Sequence, residues 1–242
     1  MPTDTTQLAL VLSIVTVGAF VQSSTGIGFG LISAPLLLLI NPQLVPGPMM
    51  SNGIILSFMI AYRDRTGIDF MGLKYALGGR ILGLVPAALI LSFATQTVFD
   101  FTFSILVLTA VFLSAVGLSV QPTKLRSFVA GAASGFMGTI SGIGGPPIAL
   151  LYQRSDALKL RGTLSGYFSI GATLSLLVLV GVGRYGLMEL ELALMLLPAT
   201  ILGFVLATPL ASRLKQGSIR PLILALSFGS AAAVLWRAIA TY

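Results

Sequence analysis

Two glycine-rich segments of similar composition constrain the fold of this chain most. The first, Ser23–Gly30, reads SSTGIGFG, and the second, Thr139–Pro147, reads TISGIGGPP. In both, hydroxyl side chains lead into Gly-Ile-Gly, and Gly26 and Gly142 lie 116 residues apart. One pattern that recurs at a long spacing indicates an internal repeat. We therefore predict two halves, residues 1–120 and 121–242, that together form one domain.

The repeat continues beyond the two segments. Gly47 and Gly162 follow them at nearly the same distance, and each opens another apolar stretch. Further along, Ile81–Val85 (ILGLV) is echoed by Ile201–Val205 (ILGFV).

Composition identifies the class of protein. Of 242 residues, 56% are hydrophobic and 9% are charged, which leaves too little polar surface for a soluble domain. A bilayer span needs about 20 apolar residues. The opening Met1–Gln7 has no Lys or Arg, so we expect the first apolar run to be retained rather than cleaved as a signal peptide. Beyond that run, we predict spans at Met49–Tyr62, Leu73–Phe93, Val98–Val120, Gly162–Val182, Leu190–Leu210 and Pro221–Ala240.

The positions of the basic residues predict how the chain is threaded. Basic loops near Arg63, Lys124 and Lys159 belong on the cytoplasmic side by the positive-inside rule. A single crossing by Phe128–Tyr152 would put one of two neighbouring basic loops outside, whereas a re-entrant hairpin avoids this conflict. We predict an all-α membrane protein of two inverted repeats, each a hairpin plus three spans. The rival plan, with each glycine run breaking one full-length span, gives parallel halves.

The hairpin arms of the second half are predicted at about 12 residues, or roughly 18 Å, each. Those of the first half, within Leu8–Ile40, are predicted at roughly 22–27 Å, too short for either to span comfortably. We expect both glycine-rich breaks to meet near the bilayer midplane, because irregular backbone at that depth must be buried or line a cavity.

The two breaks have the features of a site for a small oxyanion. A helix that starts at a break presents free N–H groups and the positive end of its dipole. Hydroxyls add donors, and glycines let a ligand approach the backbone. Glycines in membrane helices also serve close packing, but a run ending in Pro146-Pro147 cannot continue a helix. The predicted substrate-binding residues of the breaks are Ser23, Ser24, Thr25, Gly26, Gly28, Thr139, Ser141, Gly142, Gly144 and Gly145.

Four further polar residues inside apolar runs are candidates for the same site. Gln22 precedes the first break, and Asn52 and Tyr167 occupy matching places five residues after Gly47 and Gly162. This matched pair has two possible roles: the side chains either line a pore or form hydrogen bonds between helices. Arg80 lies well inside a span, where it either contacts the substrate or extends to the cytoplasmic interface.

Absent residues exclude other chemistry. With no Cys and no His, the chain lacks thiolate nucleophiles, imidazole bases and the usual transition-metal ligands. Every Asp and Glu lies near a predicted helix end or in a loop, so no proton relay is evident. We predict neither an enzyme nor a metal or cofactor site. The net charge of +7 fits cytoplasmic retention of Lys and Arg rather than nucleic-acid binding.

The residues Phe20–Gly30 followed by Pro35, and Gly135–Pro147, resemble the sulfite exporter TauE/SafE family of bacterial membrane transporters. The resemblance extends along the whole chain and implies transport of sulfite, sulfoacetate or a related sulfonate or carboxylate across the cytoplasmic membrane. Export is the expected direction. A passive anion channel, an importer of an organic acid and a structural membrane subunit are the alternatives. The expected partners are the anion and the lipid bilayer, and self-association of the chain is left open.

Overall fold

The structure is a computed structural model that describes residues 4–116, 120–211, 224–225, 228–230, 232–233 and 236. Within these residues the chain is helical and contains no strand. The predicted span Pro221–Ala240 lies largely outside the described residues. The helices are α1 Thr5–Thr25, α2 Phe29–Ile40, α3 Gly47–Arg63, α4 Phe70–Phe93, α5 Gln96–Val116, α6 Lys124–Ser141, α7 Gly145–Tyr152, α8 Ala157–Gly181 and α9 Leu187–Ala207.

Six stretches of the described chain are long and apolar enough to cross a bilayer. Five of them overlap predicted spans, and the lead-in from Pro42 lengthens the span around α3 to Arg63. The sixth is α1, which was predicted to be a hairpin arm. The chain is therefore an all-α, multi-pass membrane protein. The six stretches are Thr5–Thr25, Pro42–Arg63, Phe70–Phe93, Gln96–Val116, Ala157–Gly181 and Leu187–Leu210.

Each glycine-rich break turns the chain back toward the end from which it came. The Gln7 side-chain amide donates to the Ile40 carbonyl at 3.3 Å, so α2 returns to the start of α1. The Val120 N–H donates to the Leu150 carbonyl at 3.1 Å, so α7 likewise returns to the chain that leads into α6. Both segments are hairpins.

The predicted arm lengths were wrong, because the first arm of each hairpin is the longer one. At 1.5 Å per residue, α1 is about 31 Å long and α6 about 27 Å, whereas α2 is about 18 Å and α7 about 12 Å. Helix capping is the reason that the first arms are longer than predicted. Asp4 and Thr123 cap the first turns of α1 and α6 with their side chains, several residues before the apolar runs begin.

The two breaks contact each other, as the sequence predicts. A Cβ atom on Gly30 would lie 2.6 Å from the Gly142 carbonyl oxygen, and one on Gly145 would lie 3.6 Å from the Ile27 side chain. Gly26 and Gly142 end α1 and α6 with φ values of 88° and 73°, a left-handed conformation that favours glycine.

Long helices pack in pairs around the breaks: α1 on α9, α4 on α6 and α3 on α8. The pair α4–α6 meets backbone to backbone through a seam of four glycines, Gly79, Gly83, Gly131 and Gly135, each of which faces a carbonyl group of the other helix. This is the small-residue packing typical of membrane helices. In the pair α1–α9, Gly203 alone makes the corresponding approach, to the Thr16 carbonyl.

Helices at matching places in the two halves run in opposite directions. The end of α3 meets the start of α8 through an ion pair between Asp64 and Arg161 at 2.7 Å. The start of α3 meets the end of α8, where the Ser51 and Tyr185 hydroxyls are 2.7 Å apart. Arg184, just before α9, donates to the Leu91 carbonyl near the end of α4.

The ends of α1 and α6, where the two breaks begin, contact opposite ends of the α3–α8 pair. Gly26 at the end of α1 packs on Arg161 near the start of α8, whereas Gly142 at the end of α6 packs on Met49 near the start of α3. The basic loops gather at the α8-start end, where Lys159 lies 3.7 Å from Asp69 and Lys124 lies over the Tyr75 ring. We call this end the basic end.

Candidate functional site

A cavity lies between the two breaks. The volume that the centre of a water molecule can occupy in it is about 70 Å³. Both breaks, α3, α4 and α8 contribute to its wall. The lining residues are Gln22, Ile27, Gly28, Phe29, Gly30, Leu31, Met49, Met50, Gly53, Ser57, Arg80, Gly138, Gly142, Ile143, Gly144, Gly145, Pro146, Phe168 and Ala172.

Arg80 is the charged residue of this wall. Its side chain belongs to α4 and is buried, with 2% of the residue exposed. Nη2 donates to the Ser175 hydroxyl at 2.8 Å, and Nη1 lies 3.5 Å from the Ser134 hydroxyl. Extension of Arg80 to the interface, the alternative left open by the sequence, is therefore wrong. The guanidinium lies inside the protein.

The hydrogen bonds around Arg80 have a fixed direction. A guanidinium can only donate, so Ser175 accepts from Arg80 and gives its own proton to Thr139, 2.8 Å away. Thr139 in turn donates to the Gly135 carbonyl. Ser134 donates to the Gly144 carbonyl and so connects Arg80 to the second break. This network holds the guanidinium in one place.

Two residues of α8 make room for the guanidinium and orient it. A Cβ atom on Gly171 would lie 2.6 Å from Nε and Cδ of Arg80, so only glycine leaves enough space there. The Tyr167 ring lies 5.2 Å from the guanidinium carbon, a cation–π distance, and its hydroxyl bonds the Gly131 carbonyl at 3.3 Å. Tyr167 therefore positions Arg80 and does not line the cavity.

Arg80 has no carboxylate partner in the part of the chain that the structure describes. The ion pairs found there, Arg63–Asp64, Lys159–Asp69 and Arg161–Asp64, all lie at the basic end. Within the same residues, Nε of Arg80 is buried without any hydrogen-bond partner. An unpaired buried cation is unfavourable in a low-dielectric interior. An anion in the cavity would supply the missing charge.

The predicted hydroxyl donors of the breaks point elsewhere. Ser24 donates to the Phe20 carbonyl, Thr25 to the Val21 and Ile27 carbonyls, and Ser141 to the Met137 carbonyl. Ser141 also accepts from the Ile143 N–H. These hydroxyls stabilise the helix ends, and the structure does not bring them to the cavity wall. Thr139 reaches the site only through Ser175.

The other predicted residues divide into two groups. Gln22, Gly28, Arg80, Gly142, Gly144 and Gly145 line the cavity together. Ser23, Gly26, Asn52 and Tyr167 do not. Ser23 is buried and its carbonyl accepts from Arg63, and Gly26 packs on Arg161. Asn52 is held by the Pro48 and Ala193 carbonyls and by the Thr200 hydroxyl.

Several residues of the candidate site escaped the sequence analysis. Ser57 accepts a hydrogen bond from Gln22 at 3.2 Å, and Ser134 and Ser175 contact Arg80. Neither Ser134 nor Ser175 lies in one of the two glycine-rich segments, so no local sequence pattern indicated their contact with Arg80. Met49 and Met50 looked like ordinary span residues. Only the packing of α3 against the second break places them in the wall.

The fold and the cavity define a class: a helical membrane protein with a buried cation between two glycine-rich hairpins. The chain matches the family described as Sulfite exporter TauE/SafE over residues 10–234, and it belongs to that family. The protein is therefore a membrane transporter of the sulfite or anion exporter type, a group that consists of transporters rather than enzymes. Searches of curated proteins and of solved structures found no match.

Proposed function

We propose that this protein is a secondary transporter that exports a small sulfur-containing or organic anion across the cytoplasmic membrane. The substrate, sulfite, sulfoacetate or a related sulfonate or carboxylate, binds in the cavity between the two breaks. The observation that carries the proposal is Arg80, a buried guanidinium without a carboxylate partner among the described residues. A guanidinium can donate two hydrogen bonds at once to two oxygens of a carboxylate or of a tetrahedral oxyanion such as a sulfonate.

The rest of the cavity supports the same function. Gly28 and Gly144 are the N-caps of α2 and α7, so the positive ends of two helix dipoles face the wall that Arg80 completes. In the proposal, the N–H groups of Phe29, Gly30 and Gly145 share the anion with Arg80, whereas Pro146 and Pro147 in the first turn of α7 have no N–H to donate. The glycines leave the backbone accessible.

We propose further that the two halves are inverted repeats and that the site opens alternately to each side of the membrane. Support comes from the opposite directions of matching helices, α3 with α8 and the ends of α1 and α6. Inverted halves around a central site are typical of secondary transporters. Since no carboxylate among the described residues lines the cavity, we propose that the membrane potential drives export of the anion, at about 2.3 kcal/mol per charge per 100 mV.

The test is anion binding and counterflow by purified protein. Sulfite, sulfate, thiosulfate, sulfoacetate, taurine and pyruvate are compared by thermal stabilisation, where a ligand at 100 times its Kd adds about 2.7 kcal/mol. Labelled ligand is then followed in proteoliposomes that contain unlabelled ligand. A carrier shows saturation and transient uphill counterflow, whereas a channel shows neither.

A matched pair of variants locates the site. The repeat of Ile81–Val85 at Ile201–Val205 puts Thr200 in the second half at the place of Arg80 in the first. Arg80→Gln should weaken binding about 30-fold or more, since removing one side of a buried charge pair typically costs 2–5 kcal/mol. Thr200→Val, at a residue that does not line the cavity, should change affinity by no more than about twofold. Equal affinity in wild type and Arg80→Gln would overturn the assignment.

A further inference from the structure

We infer that the cavity selects anions by charge: it takes a singly charged anion with a small apolar body and discriminates against a dianion. The inference rests on the proposed function, because it assumes that the cavity is the anion site. It narrows the substrate class, which the family match leaves open: of the candidates proposed above, it disfavours sulfoacetate and other dianions and favours a monoanionic sulfonate or carboxylate.

Charge balance within the wall carries the first step. Among the described residues, Arg80 is the single ionisable side chain that lines the cavity, so one negative charge neutralises it and a second has no partner there. At the basic end, the half-buried Arg63 and the buried Arg161 are already bonded to Asp64. An unpaired charge in a low-dielectric site is strongly unfavourable.

The remaining wall carries the second step. Apart from Arg80, the Gln22–Ser57 pair and backbone groups, the described side chains that line the cavity are apolar. Methionines are adaptable and fit irregular groups. An alkyl group attached to the anionic head would cover this surface, whereas an inorganic oxyanion would leave it unfilled. The apolar contacts come from Ile27, Phe29, Met49, Met50, Ile143 and Phe168.

The first experiment compares ethanesulfonate with 1,2-ethanedisulfonate, which have the same carbon chain and differ by one charge. Binding to the wild-type protein is measured by thermal stabilisation at fixed ionic strength, with gluconate as the background anion and a buffer free of sulfonates. We expect ethanesulfonate to bind at least tenfold tighter. Isethionate, which adds a hydroxyl to the alkyl chain, should bind more weakly than ethanesulfonate.

A designed second cation should change this preference. Gln22 lines the cavity and its side chain ends at Ser57, so Gln22→Lys puts an ammonium group beside the anion. We expect the ratio of the two affinities to shift toward the disulfonate by at least tenfold. Gln22→Met, which is similar in length and uncharged, is the control and should keep the wild-type preference.

A titratable probe makes the same test without any substitution. Methylphosphonate changes from a monoanion to a dianion near neutral pH, while methanesulfonate keeps one charge. The chain has no histidine, and the lining residues that the structure describes include no Asp, Glu, Lys or Tyr, so this part of the wall does not titrate in that range. Methylphosphonate should lose affinity as pH rises, with methanesulfonate unchanged.

The outcomes separate this inference from the proposed function. If no anion stabilises the wild-type protein, the proposed function fails. If anions bind and Arg80→Gln abolishes the binding, but the disulfonate binds as tightly as ethanesulfonate, charge selection alone is overturned. A methylphosphonate affinity that stays level or rises with pH overturns it as well.

Discussion

Arg161 and Arg80 are both buried, yet their surroundings differ. Arg161 bonds Asp64 through Nε at 2.7 Å and the Ala211 carbonyl through Nη1 at 3.0 Å, and Asp64 is also bonded by Arg63. Among the described residues, the polar contacts of Arg80 are with hydroxyls and one aromatic ring. The first arrangement is complete in itself. In our proposal, the second is completed by a bound anion. A buried arginine thus has a structural or a binding role according to whether the protein supplies its counter-charge.

The largest effect is expected from removing the paired arginine. Arg161→Gln leaves Asp64 with Arg63 alone and breaks the contact to Ala211 at the end of α9, so the free energy of unfolding should fall by about 3 kcal/mol. Denaturation by SDS in mixed micelles measures it. The Kd for ethanesulfonate should not change. The exposed Arg65, changed to Gln, is the control and should lose less than about 0.5 kcal/mol.

The second largest effect is expected from low pH, which should reduce the stability of the basic end. Burial alone would raise the pKa of Asp64, but hydrogen bonds and charge from Arg63 and Arg161 outweigh it and hold the pKa below the ordinary value of 3.8. The contribution of Asp64 to stability is therefore full above about pH 4 and is lost as pH falls further. Unfolding measured from pH 6 to pH 3 should show this loss in wild type. Asp64→Asn, already less stable, should lack this component.

The unpaired arginine should behave in the opposite way. Arg80→Gln removes a buried charge that has no counter-ion among the described residues, so the ligand-free protein should gain about 1 kcal/mol even though it loses the bond to Ser175. Comparing unfolding with and without ethanesulfonate separates this gain from the loss of binding. A ligand-free variant as destabilised as Arg161→Gln would contradict the distinction between the two arginines.

The smallest effect is expected at the wall of the second break. A Cβ atom on Gly145 would meet Ile27 and Phe168 at 3.6 Å, ordinary contact distances, so Gly145→Ala should fold normally. Its methyl group narrows the cavity and should weaken binding of propanesulfonate a few-fold more than that of methanesulfonate. Gly181→Ala, which meets nothing within 4 Å, is the control for helix propensity. An equal change for both ligands would place the bound alkyl chain elsewhere.

Much of the fold could be predicted from the sequence, because apolar length, glycine runs and basic loops are local signals. They gave the membrane class, five of the spans and the contact between the two breaks. Helix starts were missed where the caps Asp4 and Thr123 precede the apolar runs. Those caps depend on one side-chain hydrogen bond each, which hydropathy does not record.

The site was harder to predict, for two physical reasons. A serine or threonine in a helix can bond the carbonyl four residues earlier, and Ser24 and Ser141 do so instead of facing a ligand. The depth of Arg80 depended on distant residues, above all Gly171, 91 positions further along the chain, whose missing side chain accommodates the guanidinium. The spacing of residues along α4 cannot show that a glycine on α8 leaves space for the Arg80 side chain.

The glycine seam between α4 and α6 has a mechanical consequence. Four glycines bring the two backbones into direct contact around Arg80, and such close packing resists sliding of one helix along the other. We therefore expect Arg80 on α4 and the second break at the end of α6 to move as one unit. A rearrangement that exposes the cavity to one side of the membrane would then carry the charge and the second break together, with the relative motion at the boundary with the first break.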